Sequence, residues 1–197
     1  MARIACAYFP RYELALAARE DPSLWHRPVA IADLATQPSR LIATSPAAEA
    51  FGLKRGQLTV QARALCPHLD ILPPNSEAQQ SAEREILTRL STVSPLLDSD
   101  AHGAFFLSLQ GLRHLFANEA TFADQILHAL RALGLDPRIA IADQPFVAWV
   151  AAQYTSRLEL VPSGEDRALL ERIHISALNL SEPAFKLLAL LGVESAG

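Results

Sequence analysis

Three aspartates have the type and spacing to hold a metal. Asp98 and Asp100 stand two residues apart ahead of a strand-like run, and Asp143 directly follows another. Two Mg²⁺ ions about 4 Å apart share carboxylates and clamp the attacking and leaving oxygens of a phosphoryl transfer. A nucleotidyltransferase reading therefore rests on Asp98, Asp100 and Asp143. The competing reading is that these are turn aspartates, a much commoner role. Cys66-Pro67-His68 sets a thiol near an imidazole, but thiol catalysis needs a positioned base rather than adjacency in sequence. Cys66 reads instead as core filling at a helix end. His26, His102, His114, His128 and His174 lack metal-ligand spacing. There is no phosphate-binding glycine loop, no dinucleotide fingerprint and no G-x-S-x-G elbow. The residues alone assemble no active site.

Short apolar segments would position these groups. Ile4 to Phe9, ended by Pro10, reads as a buried strand, and Tyr12 to Arg19 as a helix. Pro28 to Ala32 and Arg40 to Thr44 read as a hairpin. Pro46 opens a short helix that Gly52 closes. Residues 58–65 read as helix and Leu69 to Leu72 as a short strand. Ser76-x-x-Gln79 has the form of a capping box opening a helix that runs to Ser94-Pro95. Phe105, Leu107 and Leu109 alternate along a strand. A helix over Ala120 to Leu133, a strand over Arg138 to Ala142 and a helix from Pro145 follow. The pattern predicts an α+β fold with helices packed on a sheet. After Pro162-Ser163-Gly164 the character changes to short helices, Glu165 to Arg172 and Glu182 to Leu191. That stretch reads as a helical domain cut short.

Composition bounds the class. The chain has 197 residues, half of them hydrophobic, and a formal net charge of −4. A core of useful size is expected and general disorder is not. Residues 1–74 carry 8 Lys/Arg against 6 Asp/Glu, and residues 75–197 carry 9 against 15. The split is mild and reads first as solvated helix faces; for partners, it means the second part would repel nucleic acid more than attract it. Two cysteines, Cys6 and Cys66, cannot make a disulfide framework, which fits a reducing compartment. No apolar run approaches the roughly 18 residues of a membrane span, and the N-terminus lacks the features of a signal peptide. A cytoplasmic location is expected.

An ordered set of short motifs resembles the N-terminal part of a Y-family (translesion) DNA polymerase, and within it the catalytically inactive ImuB-like group. The set runs from Tyr8-Phe9-Pro10 and Glu13 through Pro28-Val29-Ala30, Ala43-Thr44-Ser45 and Gly52-Leu53-Lys54-Arg55-Gly56-Gln57 to Gln61 through Pro67. Ser94-Pro95, Phe106 through Leu112, His114-Leu115-Phe116 and Arg138 through Asp143 complete it. The resemblance implies a palm with a ferredoxin-like βαβ sheet, helices on one face, from residues 1–27 and 73–161. It implies a small fingers subdomain over 28–72 and the start of a truncated helical thumb over 162–197, with Phe185 to Val193 opening its helix-hairpin-helix.

The resemblance also implies what is missing. Active members need carboxylates where this chain has Ala5, Ala7, Gly103 and Ala104. A methyl group or a hydrogen cannot ligate Mg²⁺, which takes oxygen donors. The nucleotide-holding positions fall on Pro46, Glu49 and Trp149, and Glu49 would repel a triphosphate. No catalytic residue, metal or nucleotide cofactor is expected. The implied role is a non-catalytic scaffold in DNA-damage-inducible translesion synthesis, a pseudo-polymerase. Its implied partners are an error-prone C-family DNA polymerase and a RecA-like, ImuA-type companion. A sliding clamp would be reached only through regions beyond this chain, and DNA binding would be weak or nil. Two alternatives stand beside it: an active Mg²⁺-dependent nucleotidyltransferase on Asp98, Asp100 and Asp143, and an unrelated small-molecule-binding α+β domain.

Overall fold

In the computed structural model the described residues are 3–100, 103–112, 114–174 and 195. The helix expected over Glu182 to Leu191, and the thumb opening at Phe185 to Val193, lie outside them. The chain divides into two compact units. The first comprises Met1–Phe9, Arg89–Ala132 and Asp136–Gly197; the second comprises Pro10–Thr88 and Leu133–Leu135.

The first unit is built on a five-stranded sheet. Its strands are β1 (Ile4–Tyr8), β5 (Leu97–Asp100), β6 (Ala104–Ser108), β7 (Arg138–Ala142) and β8 (Leu158–Leu160), in the order β5-β6-β1-β7-β8. β1 lies central and antiparallel to both β6 and β7, and β8 joins β7 in parallel. A central strand is covered on both faces and reads as a continuous apolar run, which is why Ile4-Ala5-Cys6-Ala7-Tyr8 was legible. Helix α6 (Pro145–Tyr154) lies on the face that carries Cys6, Tyr8, Ala104, Ala140 and Ala142. Its own contact residues include Ala148, Ala151 and Ala152. Small residues on both sides let the helix approach the sheet closely. The other face carries Ala5, Ala7, Phe105, Leu107, Ile139 and Ile141, all essentially buried. Helix α5 (Glu119–Arg131) packs on β7 and takes no part in the α6 cluster, so its buried Phe122, Ile126 and Leu130 belong to this second face. Burying each such side chain contributes about 1.5–3 kcal/mol.

The second unit has a smaller sheet, β3-β2-β4, from β2 (Val29–Ala32), β3 (Leu41–Thr44) and β4 (Asp70–Leu72). The β2–β3 hairpin is antiparallel, as its polar connection predicts, and β4 is parallel to β2. Helices α2 (Pro46–Glu49) and α3 (Thr59–Leu65) cover one face around Ala30, Leu41, Leu53 and Cys66. Helix α1 (Tyr12–Glu20) and the turn Pro22–Trp25 cover the other, around Leu14, Leu24, Val29 and Ile31. Gly52 takes a φ of 81° beyond α2, a left-handed stop that a glycine adopts without strain.

Two elements differ from the sequence reading. The sequence pattern predicts no strand over β5 or β8. Each is a short, half-exposed edge strand: β5 has a single apolar residue, Leu97, and β8 is only Leu-Glu-Leu, too short to establish a period. The cap of α4 (Ser76–Leu90) also shifts by one residue. Asn75, not Ser76, caps it, its Oδ1 accepting from the Ala78 N–H at 3.0 Å. The capping-box reading was therefore displaced, because Asn and Ser cap about equally well.

Candidate functional site

The three aspartates of the nucleotidyltransferase reading do not converge. Asp98 and Asp100 lie on edge strand β5, where Asp100 is opposite Ala104 and Ala104 is opposite Tyr8. Asp143 follows Ala142, which pairs with Ile4 at the other end of β1. Four residues of strand separate the two ends, about 13 Å along the chain direction alone. Asp98 accepts from the backbone N–H of Ser99 at 2.9 Å. Among the described residues, no group of three or more His, Cys, Asp or Glu side chains could hold a metal ion. The metal set Asp98–Asp100–Asp143 is thereby corrected.

Asp143 belongs instead to a buried charge network that sequence reading missed. Arg3, only 4% exposed, donates through Nε and Nη2 to the two carboxylate oxygens of Glu119 at 2.6 and 2.7 Å. It donates through Nη1 to Asp143 Oδ1 at 3.1 Å and through Nη2 to the Val161 carbonyl at 2.6 Å. Asp143 also accepts from the Gly164 N–H at 2.7 Å and from the Ser163 hydroxyl. The Gly164 N–H above all, then the Arg3 guanidinium and the Ser163 hydroxyl, hold the Asp143 carboxyl below the usual carboxylate range. The Arg3 partners lie 116, 140 and 158 residues away, so no local motif announces them. The one signal is an arginine directly before a strand buried on both faces.

The positions singled out by the resemblance occupy the middle and one end of the first sheet. Ala5 is opposite Leu107 and Ile141, and Ala7 is opposite Phe105 and Ile139. Both are fully buried. Ala104 is opposite Tyr8 and points to the α6 face, so it does not share a face with Ala5 and Ala7. Gly103 ends the β5–β6 connection at a φ of 80°, and its carbonyl accepts from the Phe9 N–H at 2.9 Å. No side-chain oxygen stands at any of the four. They do not fit a Mg²⁺ pair, and no chemical step is derived through one. Cys6, between the two alanines, is fully buried, and that burial pushes its thiol well above the ordinary range.

Trp149 lies half-buried on α6 against the same apolar cluster, its ring 6.0 Å from that of Phe146. Pro46 and Glu49 belong to the second unit. Pro46 is the first residue of α2, whose cap is Ser45. Glu49 is gripped by Arg11 through both carboxylate oxygens at 3.1 and 2.6 Å, and it accepts from the Thr44 hydroxyl at 3.0 Å. Its charge is thus spent on an internal partner. Cys66 and His68 do not form a pair. Cys66 is buried in the α2–α3 cluster, and His68 stacks edge-on to Phe51 at 5.2 Å.

Residues 7–153 match the impB/mucB/samB family. Protein ImuB of Caulobacter vibrioides (strain NA1000 / CB15N) is 30% identical over 147 residues, 75% of this chain and 32% of that protein. DNA polymerase IV 2 of Mesorhizobium japonicum is 29% identical over 181 residues, 90% of this chain and 42% of that protein. Among solved structures, DinB from Sulfolobus solfataricus superposes with a TM-score of 0.78 at 14% identity, over 99% of this chain and 58% of that one. Dbh DNA polymerase in an insertion ternary complex gives 0.80 at 15% identity, over 99% and 59%. This chain thus spans under half the length of the two sequence relatives. An unrelated small-molecule-binding domain is set aside by these matches. The strand order, the apolar run of β1 and the family match over most of the chain agree: the chain belongs to the impB/mucB/samB family, as a Y-family polymerase domain with the α+β fold of DinB and Dbh.

Proposed function

We propose that this domain is a polymerase-like scaffold without catalytic function, working through protein contacts in bacterial translesion synthesis. One observation carries the reading. Where the resemblance puts the metal-binding carboxylates of active members, this chain has Ala5, Ala7, Gly103 and Ala104, which carry no side-chain oxygen; the three alanines are fully buried, and Ala5 and Ala7 lie opposite apolar residues on both sides. Residues 1–27 and 73–161 act as palm, 28–72 as fingers, and 162–197 as the opening of the thumb. Pro46, Glu49 and Trp149 are former nucleotide positions. The partners are an error-prone C-family polymerase and a RecA-like companion of the ImuA type. The site of action is the bacterial cytoplasm, at the nucleoid. Among the described residues, no helix is long and apolar enough to cross a membrane.

The likeness to a DNA polymerase IV over 90% of the chain favours a second reading, an active polymerase. One experiment separates the two. The chain is tested for primer extension and for a thermal shift with Mg²⁺ and deoxynucleoside triphosphates. It is also used to capture proteins from nuclease-treated lysate of damaged cells, read by mass spectrometry. The scaffold reading expects no extension, no shift and recovery of a polymerase or RecA-like protein. Extension above background overturns it, and so does a capture that yields neither partner.

A further inference from the structure

A groove in the second unit involves none of the metal or nucleotide positions discussed above. Helix α1 presents Glu13, Leu16, Ala17 and Glu20 to it, the i, i+3, i+4, i+7 spacing of one helix face. Leu24, Ile31 and Leu72 give it an apolar floor, and Pro73-Pro74 with the first turn of α4 forms the facing wall. It encloses about 510 Å³, a volume in the range of pockets that hold ligands.

The rim decides what fits. Asp21 is neutralised by Arg27 at 3.1 Å. Glu13 and Glu20 have no ion-pair partner among the described residues. They stand two helical turns apart, roughly 10 Å. Two uncompensated carboxylates over an apolar floor repel phosphates and fatty acids and favour a cationic, apolar occupant. Pro73 and Pro74 offer no N–H, so that wall cannot extend a strand. A helix satisfies its own backbone and needs only side-chain contacts.

We propose that this groove docks a basic amphipathic helix of a partner protein. Its apolar residues meet Ala17, Leu72 and Pro73, apolar lining residues that keep surface open to solvent, and two Lys or Arg residues seven apart meet Glu13 and Glu20. The inference stands on the groove and its charges, not on the scaffold reading, and either can fail without the other.

The test is fluorescence anisotropy with the whole 197-residue chain. The probe is a fluorescein-labelled helical peptide of Leu and Ala with two Lys residues seven apart, beside a counterpart with Glu at those two places. The Lys peptide is expected to bind and to weaken with salt, and the Glu peptide not to bind. Glu13→Gln with Glu20→Gln is expected to weaken binding at least about fivefold, two exposed charge contacts' worth. A control pair on the first unit, Glu159→Gln with Glu165→Gln, should leave it unchanged. All three forms should share one melting temperature, since each substituted side chain is at most partly buried. Equal weakening by the control pair would reduce the effect to net charge and overturn the proposal. Binding unchanged by Glu13→Gln with Glu20→Gln would overturn it as well. So would a monomer–dimer equilibrium abolished by that same pair, which would make a second copy the occupant.

Discussion

Arg3 is the residue through which the ends of the first sheet are tied. Its guanidinium reaches the first turn of α5 through Glu119, the end of β7 through Asp143 and the segment after β8 through the Val161 carbonyl. Such a charge is tolerated in a nearly dry place because each guanidinium nitrogen has a partner, two of those partners being carboxylates. Removing it leaves Asp143, whose side chain is 7% exposed, without its counter-charge. Arg3→Met is therefore expected to cost about 3 kcal/mol in urea unfolding at pH 7. The acid behaviour should change less. Asp143 is held below its ordinary pKa first by the Gly164 N–H and only then by Arg3 and Ser163. A depressed carboxyl contributes stability that is full above the unfolded pKa and lost as pH falls through the folded one. The variant should keep part of that acid-side loss below about pH 4. Unfolding curves of both forms across pH 2–7 check this; an acid limb that vanished in the variant would assign the whole depression to Arg3. Nothing in the local sequence foretold the network. Asp143 stood out only as a candidate metal ligand after a strand, which the structure corrects; its charge partner Arg3 is 140 positions away.

At the scale of elements, legibility followed burial. Strands β1, β2, β6 and β7 and helices α1, α5 and α6 came out of the hydrophobic pattern because each presents a continuous or periodic apolar face. β5 and β8 did not, because an edge strand is held by the ladder on one side and need not be apolar. Leu97-Asp98-Ser99-Asp100 carries two carboxylates along its open edge, which also discourages pairing with another chain. The α4 start shows the same limit at finer grain. Asn75 and Ser76 are both good caps, and the choice lies in the backbone. Asn75→Ala is expected to destabilise the chain by about 1 kcal/mol, with Ser76→Ala near neutral. Thermal melts of the two variants decide it; the reverse order would restore the capping box read from Ser76 and Gln79.

At the scale of the molecule, the question is whether this polymerase-family domain holds DNA. A working polymerase must hold a polyanion, and affinity for DNA grows with each phosphate that a Lys or Arg neutralises. This chain has 17 basic against 21 acidic residues. Several basic residues are already committed. Arg3 holds the carboxylates of Glu119 and Asp143, and Arg11 holds Glu49 through both carboxylate oxygens, while Arg19, Arg27, Arg131 and Arg167 are paired with Glu85, Asp21, Asp136 and Glu171. The other basic residues act within a chain whose formal net charge is −4, which draws in a polyanion weakly. Binding to a primer–template is therefore expected to be weak, with a Kd above roughly 10 μM at physiological salt, and independent of sequence. The slope of log K against log salt should correspond to only about one or two phosphates. Anisotropy of a labelled duplex across a salt series measures both. A steep slope together with sub-micromolar affinity would mean that basic residues on one surface track DNA, against the weak binding that the proposed scaffold role expects. A shallow slope with weak affinity leaves protein contacts, which that proposal invokes, as the means by which the domain would act.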